Sequence, residues 1–244
     1  MHIQFAPVEG IDDGEAARDL AQDPADLVVL SAADSELAAL ARAAAARPKD
    51  APSLALTNFL ALRHPLSVDL YVEKTLAGAK LIVLRLLGGE SYWPYGIERL
   101  RRLALQRGIP LFCVPGDTRW DAGFAARGTA PEPETRALWR YLAEGGPENA
   151  GFALAHLDHT LGRGELPPPP RPVPSAGFWP APVPTEGRPR AAILFYRALV
   201  QGGMTEPVEA LAAALDARGL AAQPIFVTSL KDEASAALLA TAFA

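Results

Sequence analysis

Residues 85–98, with the sequence RLLGGESYWPYGIE, combine two glycines with a cluster of aromatic residues directly after an apolar run. Gly88 and Gly89 allow the backbone to approach another group closely or to adopt a positive φ. Tyr92 and Trp93 offer flat faces against which a planar ligand can stack. The same residues are also typical of a turn that begins a helix, with the aromatic side chains packed onto a sheet. Neither GxGxxG nor GxxxxGK[ST] occurs in the chain, so the sequence predicts no dinucleotide fingerprint and no P-loop.

Four further residues lie beside predicted strands and can contribute to the same kind of site. His64 lies in the loop after one predicted strand, and Asp117 ends the motif PGD after another. Gly202 and Gly203 precede a predicted helix, whose N-terminal amides can hold an anion. Each has a plainer alternative. His64 can hydrogen-bond its own loop, Asp117 can belong to a type II turn, and Gly202 and Gly203 can form a permissive strand-to-helix turn. We therefore treat them as candidates for a binding surface.

The motif HLDH contains His156 and His159, the one pair of closely spaced histidines. Residues at i and i+3 share a helix face, so the two rings and Asp158 can approach one metal ion. The chain has no HExxH motif and no third ligand at a diagnostic spacing, and polar residues on an exposed helix explain the pattern without a metal. We predict no metal site. The single cysteine, Cys113, is predicted to be a buried, unreactive residue in a strand.

The composition excludes several classes of protein. The net charge is −5 with no basic tract, which gives no electrostatic footprint for nucleic acid. No apolar run is long enough for a membrane span, and the first residues lack the basic and apolar regions of a secretory signal. A single cysteine excludes an internal disulfide and fits a reducing compartment. We expect a cytoplasmic protein.

Alternating strands and helices must position the candidate residues. Short, nearly continuous apolar runs are typical of parallel strands that helices cover on both faces. We predict such strands at 27–31, 54–57, 81–87 and 109–114. Helical patterns lie at 35–46, 67–79, 95–107, 133–143 and 148–161, with Ser67 capping the second and Gly108 ending the third. This order predicts a flavodoxin-like or Rossmann-like parallel α/β domain over residues 1–165.

A proline-rich segment and a second α/β pattern follow. Nine of the nineteen residues at 166–184 are proline, so we predict an extended, semi-rigid linker over 166–187. Strands at 191–196 and 223–228 alternate with helices at 205–218 and 232–242. Two strands and two helices are too few for a stable doubly wound domain. We therefore interpret residues 188–244 as an incomplete second α/β domain of a longer protein.

Two long stretches of the chain resemble a known family. HPLSVDLYVEKTLAGAKLIVLRLLGGESYWPYGIERL and AILFYRALVQGGMTEPVEALAAALDARGLAAQPIFVTSLKD are similar to consecutive blocks in the amino-terminal portion of the CobN-type cobaltochelatase large subunit. That family is related to the magnesium chelatase large subunit. The resemblance implies a metal–nitrogen ligase that inserts Co²⁺ into hydrogenobyrinic acid a,c-diamide in aerobic cobalamin biosynthesis. It also implies AAA+ partner subunits that hydrolyse ATP, which this chain does not bind through a P-loop.

Two alternatives stay open beside this interpretation: Mg²⁺ insertion into protoporphyrin IX, and a module that only docks subunits or binds tetrapyrrole. The resemblance assigns no catalytic residues to this part of the family, and we expect the catalytic body outside this chain. Glu90 and Glu98 lie near the proposed rim without a partner at a diagnostic spacing. The predicted surface for the tetrapyrrole or for a neighbouring domain consists of His64, Gly88, Gly89, Tyr92, Trp93, Asp117, Gly202 and Gly203.

Overall fold

The computed structural model of the chain describes residues 16–180 and 187–243, which form two compact units. The first unit extends to Arg171 and the second begins at Pro172, so the boundary falls inside the segment predicted as a linker. Residues 1–15 of the predicted first domain and 181–186 of the predicted linker lie outside the described residues. Within the described ranges, no helix has the length and apolar character needed to cross a bilayer.

A parallel sheet of four strands forms the centre of the first unit, in the order β2-β1-β3-β4. The strands are β1 (Leu27–Ser31), β2 (Leu54–Asn58), β3 (Leu81–Leu86) and β4 (Leu111–Pro115). Every residue of β1, β3 and β4 is buried, because helices cover both faces of the sheet. The prediction of a parallel α/β fold is confirmed.

The helices of the first unit form one layer on each side of this sheet. They are α1 (Asp34–Ala44), α2 (Pro65–Lys74), α3 (Pro94–Arg107), α4 (Ala122–Ala125), α5 (Glu132–Glu144) and α6 (Pro147–Thr160), with 3-10 turns at Phe59–Leu62, Leu76–Gly78 and Glu90–Tyr92. Leu84 of β3 belongs to the apolar cluster under α2 and α3, and Val83 belongs to the cluster under α1, α5 and α6. Helix α3 ends as predicted at Gly108, which adopts a φ of 64°.

The predicted start of α2 is wrong. The helix begins at Pro65, because the Nδ1 atom of His64 accepts the Leu66 N–H at 3.1 Å and caps the first turn. Ser67, predicted as the cap, is buried inside the helix. Its Oγ accepts the backbone N–H of Arg18 at 2.7 Å and so holds the segment that precedes β1.

The second unit contains a three-stranded sheet in the order β5-β7-β6. Its strands are β5 (Ala176–Phe178), β6 (Arg190–Tyr196) and β7 (Ala221–Val227), and its helices are α7 (Arg197–Gln201), α8 (Glu206–Asp216) and α9 (Glu233–Phe243). Strands β6 and β7 are parallel, whereas β5 pairs with β7 in the antiparallel direction.

The proline-rich segment is bound at several points, although its composition predicts a plain spacer. The Tyr141 hydroxyl donates to the Pro168 carbonyl oxygen at 2.8 Å. Asn149 accepts the Arg171 N–H at 2.9 Å and donates to the Arg171 carbonyl oxygen at 2.7 Å. Strand β5 also belongs to this proline-rich segment, and it pairs within the sheet of the second unit. Composition predicts an extended backbone, but the binding of that backbone depends on partners distant in sequence.

Candidate functional site

An open groove of about 480 Å³ lies at the carboxyl ends of β3 and β4. The loop after β3 contributes one side and the segment from the end of β4 into α4 contributes the other. The lining residues are Leu86, Gly88, Gly89, Pro115, Gly116, Asp117, Arg119, Trp120, Asp121, Ala122 and Phe124. Because β3 and β4 are parallel neighbours, the loops that follow them meet at the carboxyl edge of the sheet, the edge at which open α/β sheets bind ligands. The point at which the strand order reverses lies one position away, between β1 and β3. The structure therefore brings together Gly88, Gly89 and Asp117 of the predicted set.

Glycines shape both loops of the groove. Gly88 and Gly89 adopt φ angles of 93° and 76°, which side-chain-bearing residues rarely do. Gly116 donates its N–H to the Leu86 carbonyl oxygen at 2.7 Å. A Cβ at Gly116 would lie only 2.7 Å from the backbone nitrogen of Leu87. The two loops therefore meet backbone to backbone at the floor of the groove, which leaves no room for a side chain at position 116.

The second side of the groove is fixed to α5. The carboxylate of Asp117 accepts the Arg119 N–H at 3.3 Å, and the Asp117 carbonyl oxygen accepts the indole N–H of Trp139 at 2.9 Å. The rings of Trp120 and Trp139 pack edge to face with centroids 5.5 Å apart. The guanidinium of Arg136 lies 5.4 Å from the Trp120 ring centre, a cation–π distance. The loop is therefore held at three points, and the exposed Arg119 has no ion-pair partner among the described residues.

A largely buried ion pair, which the sequence did not predict, contacts the backbone of two residues that line the groove. Arg85 of β3 is 8% exposed and donates to the carbonyl oxygens of Pro115 at 3.0 Å and Gly116 at 3.4 Å. It also donates to the Leu142 carbonyl oxygen of α5 at 3.4 Å and pairs with Glu36 of α1. Burial raises the pKa of Glu36, and the Arg85 charge opposes that rise. The available signal was a single arginine inside the apolar run LIVLRLL.

The aromatic residues after Gly89 do not all belong to the rim. Trp93 is 6% exposed, stacks on Phe59 at a centroid distance of 5.0 Å, and donates its indole N–H to the Leu62 carbonyl oxygen at 3.1 Å. It is therefore a core residue and offers no face to a ligand, because its hydrogen bond and its stacking partner are both internal. Tyr92 is 53% exposed and its ring is perpendicular to that of Phe59, with centroids 6.4 Å apart, but it does not line the groove.

The remaining predicted residues do not line the groove. His64 follows β2, which β1 separates from β3, and its Nδ1 serves as the cap of α2. Gly202 and Gly203 belong to the second unit at the end of α7. Their amides donate to the carbonyl oxygens of Ala198 at 2.9 Å and Val200 at 3.0 Å, so they satisfy the C-terminal turn of α7. The sequence suggested that these amides lie at a helix N-terminus. In the structure they lie at the C-terminal end of α7 instead.

The three polar residues of the HLDH motif, His156, Asp158 and His159, each contact a different partner. Nε2 of His156 lies 3.0 Å from the Glu134 carbonyl oxygen, Asp158 pairs with Arg47, and Nδ1 of His159 lies 3.3 Å from the Gly164 carbonyl oxygen. Burial lowers the pKa of His156. Within residues 16–180 and 187–243, no three histidine, cysteine or acidic side chains are grouped as a metal site would require.

Cys113 is buried in β4, and burial raises its pKa to about 12. At neutral pH it is therefore a thiol rather than a nucleophilic thiolate, as the sequence predicted.

Comparisons with known proteins agree with this architecture. The CobN/Magnesium Chelatase family model matches residues 139–244. The aerobic cobaltochelatase subunit CobN of a Sinorhizobium species is 42% identical over 262 aligned positions, which cover 100% of this chain and 20% of that protein. The Pseudomonas aeruginosa subunit of the same name is 42% identical over 251 positions, covering 96% of this chain and 20% of that protein.

A solved structure gives the same result. The catalytic subunit of cobaltochelatase from Mycobacterium tuberculosis superposes with a TM-score of 0.68 at 28% identity, covering 85% of this chain and 16% of that one. The chain spans about a fifth of the length of the curated relatives that it matches. Fold, sequence and structural similarity agree with the resemblance carried by HPLSVDLY and YWPYG, and the chain belongs to the CobN/magnesium chelatase family.

Proposed function

We propose that this chain is an amino-terminal portion of the large subunit of an ATP-dependent cobaltochelatase. The complete enzyme inserts Co²⁺ into hydrogenobyrinic acid a,c-diamide in aerobic cobalamin biosynthesis. The observation that carries the proposal is the 42% identity to CobN subunits over the whole chain. AAA+ partner subunits hydrolyse the ATP, which is consistent with a sequence that has no GxxxxGK[ST] motif. Residues of the remaining large subunit coordinate the metal, and this portion alone does not catalyse insertion.

The groove contributes to this function by holding one edge of the tetrapyrrole. Its volume of about 480 Å³ suits a peripheral part of such a substrate rather than the whole macrocycle. Trp120 and Phe124 supply apolar surface, and the guanidinium of Arg119 is available for a carboxylate of the substrate. Asp117 and Asp121 engage backbone amides through their carboxylates and thereby hold the loop in place. Gly88 and Gly89 keep the opposite side free of side chains.

The test uses the full-length large subunit that contains this segment, together with its ATPase partners. With hydrogenobyrinic acid a,c-diamide, ATP and Co²⁺, the absorbance spectrum should change to that of the cobalt corrinoid. In a parallel reaction, Mg²⁺ and protoporphyrin IX should give no product. Magnesium insertion in the absence of cobalt insertion would contradict the proposal.

Arg119→Ala tests the groove within the same assay. A charge-assisted hydrogen bond contributes about 1.5–3 kcal/mol, so we expect the KM for the tetrapyrrole to rise roughly 10-fold or more with little change in kcat. Arg102→Ala is the matched control, because Arg102 is an exposed arginine of α3 that pairs with Glu98 away from the groove. An unchanged KM in Arg119→Ala would contradict the groove assignment and leave the chelatase assignment intact.

A further inference from the structure

The sheet of the second unit leaves one edge and part of one face uncovered. β6 is the outermost strand of the order β5-β7-β6, and β7 is its only strand partner within the described residues. Alternate residues of β6 point to solvent: Ala192 is exposed, Leu194 is 43% exposed and Tyr196 is 64% exposed. On the opposite face, Phe195 packs with Val200 in an apolar cluster. Among residues 16–180 and 187–243, β6 is therefore covered on one face only.

The residues of β6 are poorly suited to an open edge. Parallel strands in known folds are almost always covered on both faces. Edge strands that remain exposed usually carry charges, prolines or bulges that prevent further pairing. After Arg190 at its first position, β6 continues as AAILFY, with no further charge and no proline before Arg197. A free edge of this composition would be a template for aggregation.

The first unit of the same chain shows how such a strand is normally placed. Its first strand, β1, lies between β2 and β3 in the order β2-β1-β3-β4, and every residue of β1 is buried. β6 and β7 correspond to β1 and β2, because each pair is parallel and joined through a helical connection. By this correspondence, β6 has the position of an interior strand, and the equivalent of β3 is absent from residues 16–180 and 187–243.

We propose that the open edge of β6 pairs in parallel with a β-strand from the rest of the large subunit, and that a helix attached to that strand covers Leu194 and Tyr196. This inference rests on the proposed function, because it takes the chain as part of a longer subunit. About four fifths of the length of the CobN relatives lies outside the region that this chain matches, which is ample for a strand and a helix. A second copy is the other possible occupant. Two identical edges related by a two-fold axis would pair antiparallel, unlike the β1–β3 pair.

Hydrogen exchange of the full-length large subunit tests the proposal. In a parallel pair, alternate amides of a strand donate to each neighbour, so β7 alone protects about half of the β6 amides. We expect essentially all amides at 191–196 to be protected, with exchange within about tenfold of the β7 amides at 225–227, which have a strand neighbour on both sides. Exchange of about half of the β6 amides at solvent-exposed rates would overturn the proposal. Full protection that disappears on dilution would also overturn it, because the occupant would then be a second copy.

A pair of substitutions in the full-length subunit gives an independent measurement. Leu194→Asp places a charge where the proposed helix covers the sheet, so it should increase exchange at 191–196 by more than about tenfold. Leu211→Asp is the control, because Leu211 on α8 is similarly exposed at 49%. Equal effects of the two substitutions on β6 exchange would contradict the docking surface. Neither measurement depends on cobalt insertion, so failure here is distinguishable from failure of the proposed function.

Discussion

Replacing Arg85 by methionine tests whether one buried guanidinium holds the floor of the groove. Arg85 donates to the carbonyl oxygens of Pro115 and Gly116 and pairs with Glu36. Methionine fills part of the same volume but donates no hydrogen bond, so the Glu36 carboxyl stays buried without its cation. Removing one partner of a buried ion pair costs about 3–5 kcal/mol, and each kcal/mol shifts the midpoint by about 2–4 °C at this chain length. We expect Arg85→Met to lower the unfolding midpoint of the first unit by roughly 6–20 °C.

Glu36 gives this variant a pH dependence with a defined sign. Burial raises the pKa of Glu36, and Arg85 counteracts that rise. Without Arg85 the pKa of Glu36 rises further in the folded state. The folded state therefore keeps a proton on this carboxyl at pH values where the unfolded state has already released it. Stability is then lost as the pH rises from the unfolded pKa of the carboxyl to its folded pKa. The penalty of Arg85→Met should therefore be smaller near about pH 5 than near about pH 8.

The assay is thermal unfolding followed by tryptophan fluorescence in a Trp179→Phe background, in which the remaining tryptophans belong to the first unit. Arg102→Met is the control, because Arg102 forms an exposed i,i+4 pair with Glu98 that contributes about 0.3–0.5 kcal/mol. The double variant Arg85→Met/Glu36→Met removes both charges and should recover most of the loss. A midpoint within about 2 °C of the parent for Arg85→Met would refute the reasoning, because the guanidinium would then not support the groove.

Two further predictions concern the first unit. Gly96→Ala in α3 should destabilise it by about 1–3 kcal/mol, because the added Cβ would lie 2.2 Å from the Trp93 ring. Gly151→Ala in α6, with nothing within 4 Å of the added Cβ, should instead stabilise it by about 0.5–1 kcal/mol, and equal shifts in thermal unfolding would contradict this contrast. Burial lowers the pKa of His156 below 6.5, so the unfolded state binds more protons and stability should fall as the pH drops below about 6.5. Urea unfolding across that range measures how the free energy of unfolding changes with pH. His156→Phe should remove this pH dependence, whereas His159→Gln, at an exposed position, should leave it in place.

The part of the candidate site that the sequence predicted is the part that depends on strand ends. Gly88, Gly89 and Asp117 each follow a buried apolar run, and the carboxyl edge of a parallel sheet is where such loops meet. Trp93 shows the limit of this reasoning. Its neighbours in sequence suggest an exposed aromatic cluster, yet it stacks on Phe59, which is more than thirty residues earlier. Whether an aromatic side chain faces solvent or the core depends on which distant element packs beside it, and the local pattern does not contain that information.

The amino-acid sequence determined the alternation of strands and helices, the parallel character of the first sheet and the family resemblance. Apolar periodicity, helix caps and turn glycines act between residues a few positions apart, so they can be recognised in the sequence itself. Only the tertiary structure decided the order β2-β1-β3-β4, which places the ends of β3 and β4 side by side and separates His64 from the groove. It also decided that Arg85 supports this groove through backbone carbonyls 30 and 57 residues away. Strand adjacency and buried ion pairing depend on which distant segments pack together, and that is fixed by the free energy of the whole fold.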